Sequence, residues 1–387
     1  MDKKKQLSFN LNNLLLSTSH TFDFIESQYS NTSINHSKRI AFLSLKIGQE
    51  LELNSREMFD LCAYCLCHDI ALNESKIKGK VYSNLCEEKI KDFPFLCENN
   101  NILKYQNEKI NGSGIFGLKE DEIPLFSKII YFAHTLDEKF DLSKKDIENR
   151  NNIISFVKDN TSILFDEKIS NIFLSISTNI DFWLDVQSEN EILYFIFNNL
   201  HDFTITLDFE DVLNITKTFF NISDKDSSFI YNCQKMCEFY KFEHKDKCTF
   251  LISASLCKIG KLLIPLNILE KKDKLTINEY EEIKSYPYYT KKILSNIMGF
   301  NDISLWSSKV QELLDESGYP YKLSAKDMSL KDRVLSIINI YSSLIQEKKY
   351  RNPYSHHEAI CILKEMSNNK KIDLSIVNDI DFVFRQN

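Results

Sequence analysis

Glycine and proline are scarce in this chain, with eight Gly and six Pro among 387 residues. Both residue types interrupt helices and mark turns, so their scarcity is typical of a chain that forms many helices. Leu, Ile, Lys and Glu are abundant. The composition therefore predicts a mainly helical protein.

Long apolar stretches and an excess of positive charge are also missing. No segment approaches the roughly 18 consecutive apolar residues that suggest a transmembrane helix. The start, MDKKKQLSFNLNN, is basic and then polar, without the apolar core of a signal peptide. The formal net charge of −7 gives no electrostatic reason to expect nucleic acid as a partner. We expect a cytoplasmic protein with no membrane span.

The ten cysteines do not suggest a disulfide framework, because a chain of this size and composition needs none. Cys62, Cys65 and Cys67 are close together, but no second Cys-x-x-Cys or Cys/His pair lies at zinc-finger spacing. Small apolar thiols on a buried helix face are the simpler interpretation. The length and the 43% hydrophobic content suit two globular domains.

The most informative stretch is Leu66-Cys67-His68-Asp69-Ile70, at the end of an apolar helical run. Its His-Asp pair offers an imidazole nitrogen and a carboxylate oxygen within one peptide unit, a suitable donor set for Mn, Fe or Zn. His36 lies 32 residues earlier, at the start of another periodic segment.

Apolar periodicity predicts a helix from His36 and a second helix that ends near His68. Asn54 and Ser55 interrupt the pattern and can cap the second helix. Two helices of similar length joined by a short turn run antiparallel, so His36 and His68 should lie at the same end of the pair. The inward-facing residues predicted for the two helices are Ile40, Leu43, Ile47, Leu51, Phe59, Cys62, Ala63 and Leu66.

The second half of the chain repeats landmarks of the first at matched spacing, which predicts an internal repeat. Leu53 precedes His68 by 15 residues, and Phe242 precedes Cys257 by 15. Glu108 precedes the loop Asn-Gly-Ser-Gly, and Glu312 precedes Asp-Glu-Ser-Gly.

The second half resembles the HD-GYP family of metal-dependent phosphohydrolases, and the first half looks like the related HD domain. The resemblance covers about residues 30–385. It implies an all-α fold, two or three bound Fe or Mn ions, and hydrolysis of cyclic di-GMP. The segments that carry it are CKIGKLLIPLNILEKKDKLTINEYEEIKSYPYYTKKIL, LLDESGYPYKL and YRNPYSHHEAICILKEM.

The second repeat departs from the family pattern at each position where the family has a histidine ligand. Of the motif His-Asp-Ile-Gly-Lys, only the last three residues remain. The resemblance therefore implies no metal there. Lys225 and Lys258 are expected to stabilise the former metal cavity instead, by pairing with Glu312 or Asp315, or else to bind phosphate. The substituted positions are Lys225, Cys257, Lys258, Tyr286, Val310, Gln311 and Asn339.

The first repeat keeps more of the pattern. His36, His68 and Asp69 match the family's early ligands, and His134 stands where the late Asp is expected. The resemblance implies that these four could hold one Mn, Fe or Zn ion, although a metal-free buried cluster is the alternative. Tyr82 replaces the family's middle histidine, and Gln106-Asn107-Glu108 replaces its His-His-Glu.

We thus expect an all-α chain of two tandem HD-type bundles, residues 1–195 and 196–387, joined by helices near residues 185–215. Three functions remain open. The first is a degenerate HD-GYP protein, a pseudoenzyme that no longer hydrolyses cyclic di-GMP and regulates by binding a cyclic dinucleotide or a protein partner. The second is a one-metal phosphohydrolase that works from the first repeat, and the third is a structural or dimerisation scaffold.

Overall fold

The structure is a computed structural model, and it confirms a mainly helical chain. Contacts divide the chain into two compact units. The first unit runs from residue 10 to residue 204, and the second contains residues 6–9 and the described residues from 205 onward. The expected boundary at residue 195 stays a prediction. The structure describes residues 6–28, 32–71, 79–224, 227–347 and 351–385.

The first unit consists of nine helices within the described ranges, together with a 3-10 helix at Glu120–Glu122. The helices are α1 (Leu11–Ser27), α2 (His36–Glu50), α3 (Ser55–Leu66), α4 (Lys80–Lys89), α5 (Leu125–Phe140), α6 (Ile147–Asn160), α7 (Glu167–Ile176), α8 (Ile180–Val186) and α9 (Glu189–Asn199).

The second unit contains two strands, ten α-helices and a 3-10 helix (Ile259–Leu263) among its described residues. The elements are β1 (Gln6–Phe9), β2 (Ile205–Asp208), α10 (Phe209–Ser223), α11 (Ser227–Phe239), α12 (His244–Leu256), α13 (Leu266–Leu269), α14 (Ile277–Lys284), α15 (Tyr286–Leu294), α16 (Asn301–Ser308), α17 (Leu330–Ile345), α18 (His356–Asn368) and α19 (Leu374–Phe384).

The described part of the chain begins with a strand, although the composition predicts mainly helix. Residues 6–9 form β1, which pairs antiparallel with β2, so that Gln6 lies opposite Asp208. The helix begins at Leu11, after Asn10 accepts a hydrogen bond from the Asn13 amide as its N-cap. The segment near residues 185–215 likewise contains β2 as well as helices. Each strand is stabilised by a partner far away in sequence, which local periodicity cannot reveal.

The predicted helix pair is α2 and α3, and the cap at their turn is confirmed. The Asn54 side chain accepts hydrogen bonds from the amides of Arg56 and Glu57, and the Glu57 carboxylate accepts one from the Asn54 amide. This capping box satisfies amides at the start of α3. The residues of α3 that were predicted to face inward are buried, including Phe59, which is 2% exposed. The short turn sends α3 back along α2 toward His36.

Within the described part of the chain, no helix is both long enough and apolar enough to cross a bilayer.

Candidate metal centre

Three imidazole rings meet at one end of the α2–α3 pair. The ring centres are 5.4 Å apart for His36 and His68, 5.3 Å for His36 and His134, and 5.2 Å for His68 and His134. They form a nearly equilateral triangle. The expectation that His36 and His68 lie at the same end of the pair is confirmed.

Each ring is placed by a different element. His36 is the first residue of α2, His68 follows the last turn of α3, and His134 lies in the middle of α5. The antiparallel pairing of α2 and α3 brings the first two together. His134 joins them because α5 packs against α2.

Asp69 completes a group of four donors. One donor atom from each of Asp69 and the three histidines lies within 4.8 Å of all the others. Two donors on opposite sides of one ion are about 4.2 Å apart, since each bond is about 2.1 Å. A small contraction would therefore bring all four atoms to one ion. Among the described residues, no other group of three or more His, Cys, Asp or Glu side chains converges in this way.

Hydrogen bonds on the far side of two rings fix which nitrogen faces the centre. His36 Nδ1 lies 2.5 Å from Asp137 Oδ2, and His68 Nδ1 lies 2.8 Å from the Cys65 carbonyl oxygen. Each Nδ1 is therefore the donor nitrogen. Metal-binding histidines in proteins commonly donate their second ring nitrogen to a carboxylate or carbonyl in this way.

The other ring nitrogen of each histidine has no hydrogen bond within the described ranges. His36 Nε2 and His68 Nε2 are both buried. A carboxylate oxygen lies close to each of them: Glu26 Oε1 is 3.5 Å from His36 Nε2, and Asp69 Oδ2 is 3.0 Å from His68 Nε2. A buried polar atom without a partner is costly. The two Nε2 atoms and these carboxylates fit the donor set of a Mn, Fe or Zn ion.

Asp137 is itself held by Arg39, one turn after His36 on α2. Arg39 Nε lies 2.7 Å from Asp137 Oδ1, and the second guanidinium nitrogen lies 2.8 Å from Oδ2. This bidentate pair orients the carboxylate that orients His36. Burial opposes ionisation of Asp137, but the charge of Arg39 lowers the pKa of the carboxyl below its usual range.

The three imidazoles differ in their proton affinity. Burial lowers the pKa of His134 to about 3, with help from repulsion by His68 and His36. Burial acts in the same direction on His68, but the adjacent Asp69 carboxylate raises its pKa to about 9. His134 is therefore already in the neutral form that binds metals, whereas His68 would exchange a proton for the ion.

Two side chains that are predicted to stand in place of family histidines lie beside the centre. The Tyr82 hydroxyl donates to Asp69 Oδ1 over 3.0 Å, and Gln106 Nε2 donates to the His68 carbonyl over 2.9 Å. Both support the His-Asp pair. The Asp69 and His134 side chains are 14% and 20% exposed, so solvent reaches the centre from their side.

The corresponding region of the second unit is a cavity of about 190 Å³. Lys258, Gln311 and Asn339, three of the predicted substituted positions, line this cavity together with Asp224 and Lys261. Ammonium and amide groups at these places do not form a donor set for a metal. Lys225 lies outside the described residues.

The predicted pairing of Lys258 with Glu312 or Asp315 is wrong. Lys258 Nζ lies 2.6 Å from Asp224 Oδ2 and 4.4 Å from the centre of the Phe229 ring. Glu312 is engaged elsewhere, because its two oxygens accept the backbone amides of Tyr321 and Leu323.

The remaining substituted positions pack into the core of the second unit. The Cys257 thiol donates to the Ala254 carbonyl, and burial raises its pKa to about 11. The Tyr286 hydroxyl accepts a hydrogen bond from Gln311 Nε2 over 2.9 Å. Val310 is fully buried. These residues stabilise the interior of the unit.

A buried glutamate performs the same task in both units. The oxygens of Glu108 accept the amides of Phe116 and Leu118, just as Glu312 does for residues 321 and 323. Each glutamate contacts the glycine of the following loop, Gly114 or Gly318, so closely that an added Cβ would clash with its backbone. The shared detail supports the interpretation of an internal repeat.

Sequence reasoning missed three charged residues of the first unit's centre: Glu26, Arg39 and Asp137. The spacing of two of them relative to the histidines could have indicated their place at the site. Arg39 follows His36 by three residues, and Asp137 follows His134 by three, so each pair shares one helix face. Glu26 lies on α1, and only the packing of that helix brings it to the site.

Comparisons with known proteins agree with the resemblance. Residues 209–376 match the profile of the HD domain family. The 3'3'-cGAMP-specific phosphodiesterase 1 of Vibrio cholerae serotype O1 is 21% identical over 376 residues, which cover 90% of this chain and 86% of the relative. Cyclic di-GMP phosphodiesterase PdeB of Borreliella burgdorferi is 35% identical over 124 residues, only 32% of each chain.

A solved structure shows the same fold over nearly the whole length. The crystal structure of V-cGAP3, a cyclic GMP-AMP specific phosphodiesterase of V. cholerae, aligns with a TM-score of 0.67 at 18% identity, over 98% of each chain. The family match over residues 209–376 and the whole-length similarity thus support an HD or HD-GYP family member.

Proposed function

We propose that this chain is a divergent HD-GYP protein that holds one metal ion in its first unit, holds none in its second, and regulates by binding a cyclic dinucleotide. The observation that carries the proposal is the pair of buried Nε2 atoms of His36 and His68, which face Asp69 and His134 without hydrogen bonds of their own among the described residues. The names of the relatives supply the ligand class.

In the first unit, one set of residues would bind the metal ion and a second set would orient those ligands. His36, His68, Asp69 and His134 would hold the ion. Asp137 and the Cys65 carbonyl keep the two Nε2 atoms turned inward, and Tyr82 orients the Asp69 carboxylate. A bound Mn, Fe or Zn ion supplies a Lewis acid that attracts a phosphate oxygen and lowers the pKa of a bound water.

The second unit argues against the family's multi-metal hydrolysis. Hydrolysis with two metals needs ligands for both ions, and catalytic groups that act together do not lose activity in proportion when some are removed. The described lining of the second cavity offers lysine and amide groups around one carboxylate. Binding without turnover is therefore the primary proposal, with the protein acting inside the cell.

A one-metal phosphohydrolase is the second candidate. It is favoured by the partial exposure of Asp69 and His134, which leaves a bound ion within reach of a phosphate group. Hydrolysis would then depend on the first unit alone.

Elemental analysis, equilibrium binding and turnover of cyclic di-GMP and 3'3'-cGAMP test these proposals together. We expect about one equivalent of Mn or Fe in the wild type, and none in His68→Ala, because the substitution removes an inward Nε2. Cys257→Ala is the matched control in the second unit and should keep the ion. Circular dichroism checks that both variants fold.

The outcomes separate the candidates. Nucleotide binding without turnover supports the regulator, and turnover that disappears in His68→Ala supports the phosphohydrolase. If the folded protein binds neither metal nor nucleotide, a structural or dimerisation scaffold is the remaining candidate function. Metal that remains in His68→Ala but is lost in Cys257→Ala would place the ion in the second unit and contradict the assignment.

A further inference from the structure

A further carboxylate reaches the metal centre from α1, a helix outside the residues that match the family's motif. Glu26 lies near the end of α1 and is only 5% exposed. Its Oε1 lies 3.5 Å from His36 Nε2, the inward nitrogen of a proposed ligand. Glu26 also interacts electrostatically with His68 and Asp69. The carboxylate therefore belongs to the same buried cluster.

The separation of 3.5 Å has a direct geometric meaning. Two donor atoms that bind one ion at about 2.1 Å each lie about 3.0 Å apart at a right angle and about 3.4 Å apart at the tetrahedral angle. On the other side of the centre, His68 Nε2 and Asp69 Oδ2 show a similar spacing, 3.0 Å. Glu26 thus stands at the distance expected of a neighbouring ligand.

The position of Glu26 is set by a separate contact of α1. Asp23, one turn earlier on the same helix face, is fully buried and accepts hydrogen bonds from both the amide and the hydroxyl of Ser37. Ser37 follows His36 directly. The N-cap residue Asn35 makes no capping bond with its own side chain, so Asp23 supplies the cap from α1. This contact fixes α1 against the start of α2 and places Glu26 beside His36.

The number of protein ligands bears on which ion is chosen. Four ligands suit a tetrahedral Zn ion. Three imidazoles with two carboxylates exceed that number and leave one open position in an octahedron, the geometry that Mn and Fe(II) accept with nitrogen and oxygen donors. A fifth ligand would therefore favour Mn or Fe over Zn.

We propose that Glu26 is a ligand of the metal in the first unit and that it makes the centre selective for six-coordinate Mn or Fe over tetrahedral Zn. This inference depends on the proposed function, because it requires that the first unit bind an ion. It adds a ligand from α1, a helix outside the motif residues that match the family.

Competition against a coloured chelator measures the dissociation constants for Mn²⁺ and Zn²⁺ in the full chain. We expect Glu26→Gln to weaken Mn²⁺ binding at least tenfold and Zn²⁺ binding much less, so that the ratio of the two constants changes at least tenfold. Glu50→Gln is the matched control, because Glu50 is exposed at the far end of α2, roughly 21 Å from His36 along the helix axis. It should leave both constants unchanged.

A second variant separates coordination from mere negative charge. Glu26→Asp keeps the charge but withdraws the carboxylate by about one bond length, roughly 1.5 Å. A coordinating carboxylate predicts that Mn²⁺ binding weakens in this variant too, and that the electron paramagnetic resonance spectrum of bound Mn²⁺ changes. A charge that acts only at a distance predicts wild-type binding. The Asp variant also serves if Glu26→Gln does not fold.

The results distinguish failure of this inference from failure of the proposed function. Wild-type affinity for both ions in Glu26→Gln and Glu26→Asp would overturn the role of Glu26 while leaving the metal centre in place. A wild type that binds neither Mn²⁺ nor Zn²⁺ would overturn both. Selective loss of Mn²⁺ affinity in the two Glu26 variants, with Glu50→Gln unchanged, supports the assignment.

Discussion

The two units keep one structural carboxylate in common and differ in the chemistry around it. Glu108 and Glu312 each accept two loop amides in the same way. Near Glu108 the first unit gathers imidazoles, whereas the cavity of the second unit contains lysine and amide groups. The comparison teaches that the loop and its buried glutamate can persist without the histidines. The fold and the metal ligands are separable properties of this sequence.

The difference also shows how a helical cavity can be stabilised without a metal. In the first unit, buried carboxylates face imidazoles that can accept an ion. In the second, Lys258 places its own ammonium within 2.6 Å of Asp224. A covalently attached cation needs no uptake from solution, but it cannot offer an open position to a phosphate oxygen. The ion pair therefore balances the charge of the Asp224 carboxylate from within the chain.

The largest stability effect that we expect from this comparison is at Gly260, which follows Ile259 as Ala71 follows Ile70. A Cβ at Gly260 would clash with the Tyr286 carbonyl oxygen and lie 2.7 Å from the Thr290 amide nitrogen. Both are backbone atoms, so Gly260→Ala should lower the free energy of unfolding by about 3 kcal/mol. Urea denaturation measures the loss.

Ala71→Gly is the matched change in the first unit. It removes a buried methyl group and adds backbone freedom, so its cost should be about 1 kcal/mol. A loss for Gly260→Ala no larger than that for Ala71→Gly would mean that the backbone of α15 yields to the added methyl group.

A smaller effect should follow from the shared glutamates. Glu108→Gln and Glu312→Gln each replace one accepting oxygen by an amide nitrogen that cannot accept, which leaves a loop amide without its partner. We expect each substitution to lower the free energy of unfolding by about 1–3 kcal/mol, and the two losses to be similar. Chemical denaturation of both variants, with Glu57→Gln as a comparison at an exposed cap, checks this.

Metal content tests the same comparison. Glu108 is predicted to match the glutamate of the family's His-His-Glu, but its oxygens accept the amides of Phe116 and Leu118. Glu108→Gln should therefore keep the full metal content of the wild type. A folded Glu108→Gln that lacks the ion would show that Glu108 belongs to the ligand set.

The local parts of this fold were predictable, and the non-local parts were not. Apolar periodicity and the Asn54 cap are properties of neighbouring residues, so α2 and α3 and the meeting of His36 with His68 followed from them. The pairing of β1 with β2 joins residues about 200 positions apart, and nothing in residues 6–9 alone indicates it.

The same distinction applies to the site. The four candidate ligands came from motif positions, and the structure brings them together. Glu26 and Asp137 reach the centre through the packing of α1 and α5, which no spacing rule specifies. The partner of Lys258 was predicted wrongly because charge alone does not select among nearby carboxylates. In the structure, the Glu312 carboxylate accepts hydrogen bonds from two backbone amides, and Asp224 is the carboxylate that pairs with Lys258.

The smallest effect should come from the ion pair that distinguishes the second unit. Lys258→Met removes the ammonium but keeps most of the apolar stem, and the Asp224 side chain is 12% exposed, so water can partly solvate its carboxylate. We expect a loss of about 1 kcal/mol, well below that of a fully buried pair. The double variant Lys258→Met with Asp224→Asn should recover most of this loss, since it removes both charges together. Urea denaturation at low and high salt measures the coupling; a double variant that is less stable than the sum of the single changes would show that Lys258 and Asp224 stabilise the cavity through contacts other than their mutual charge.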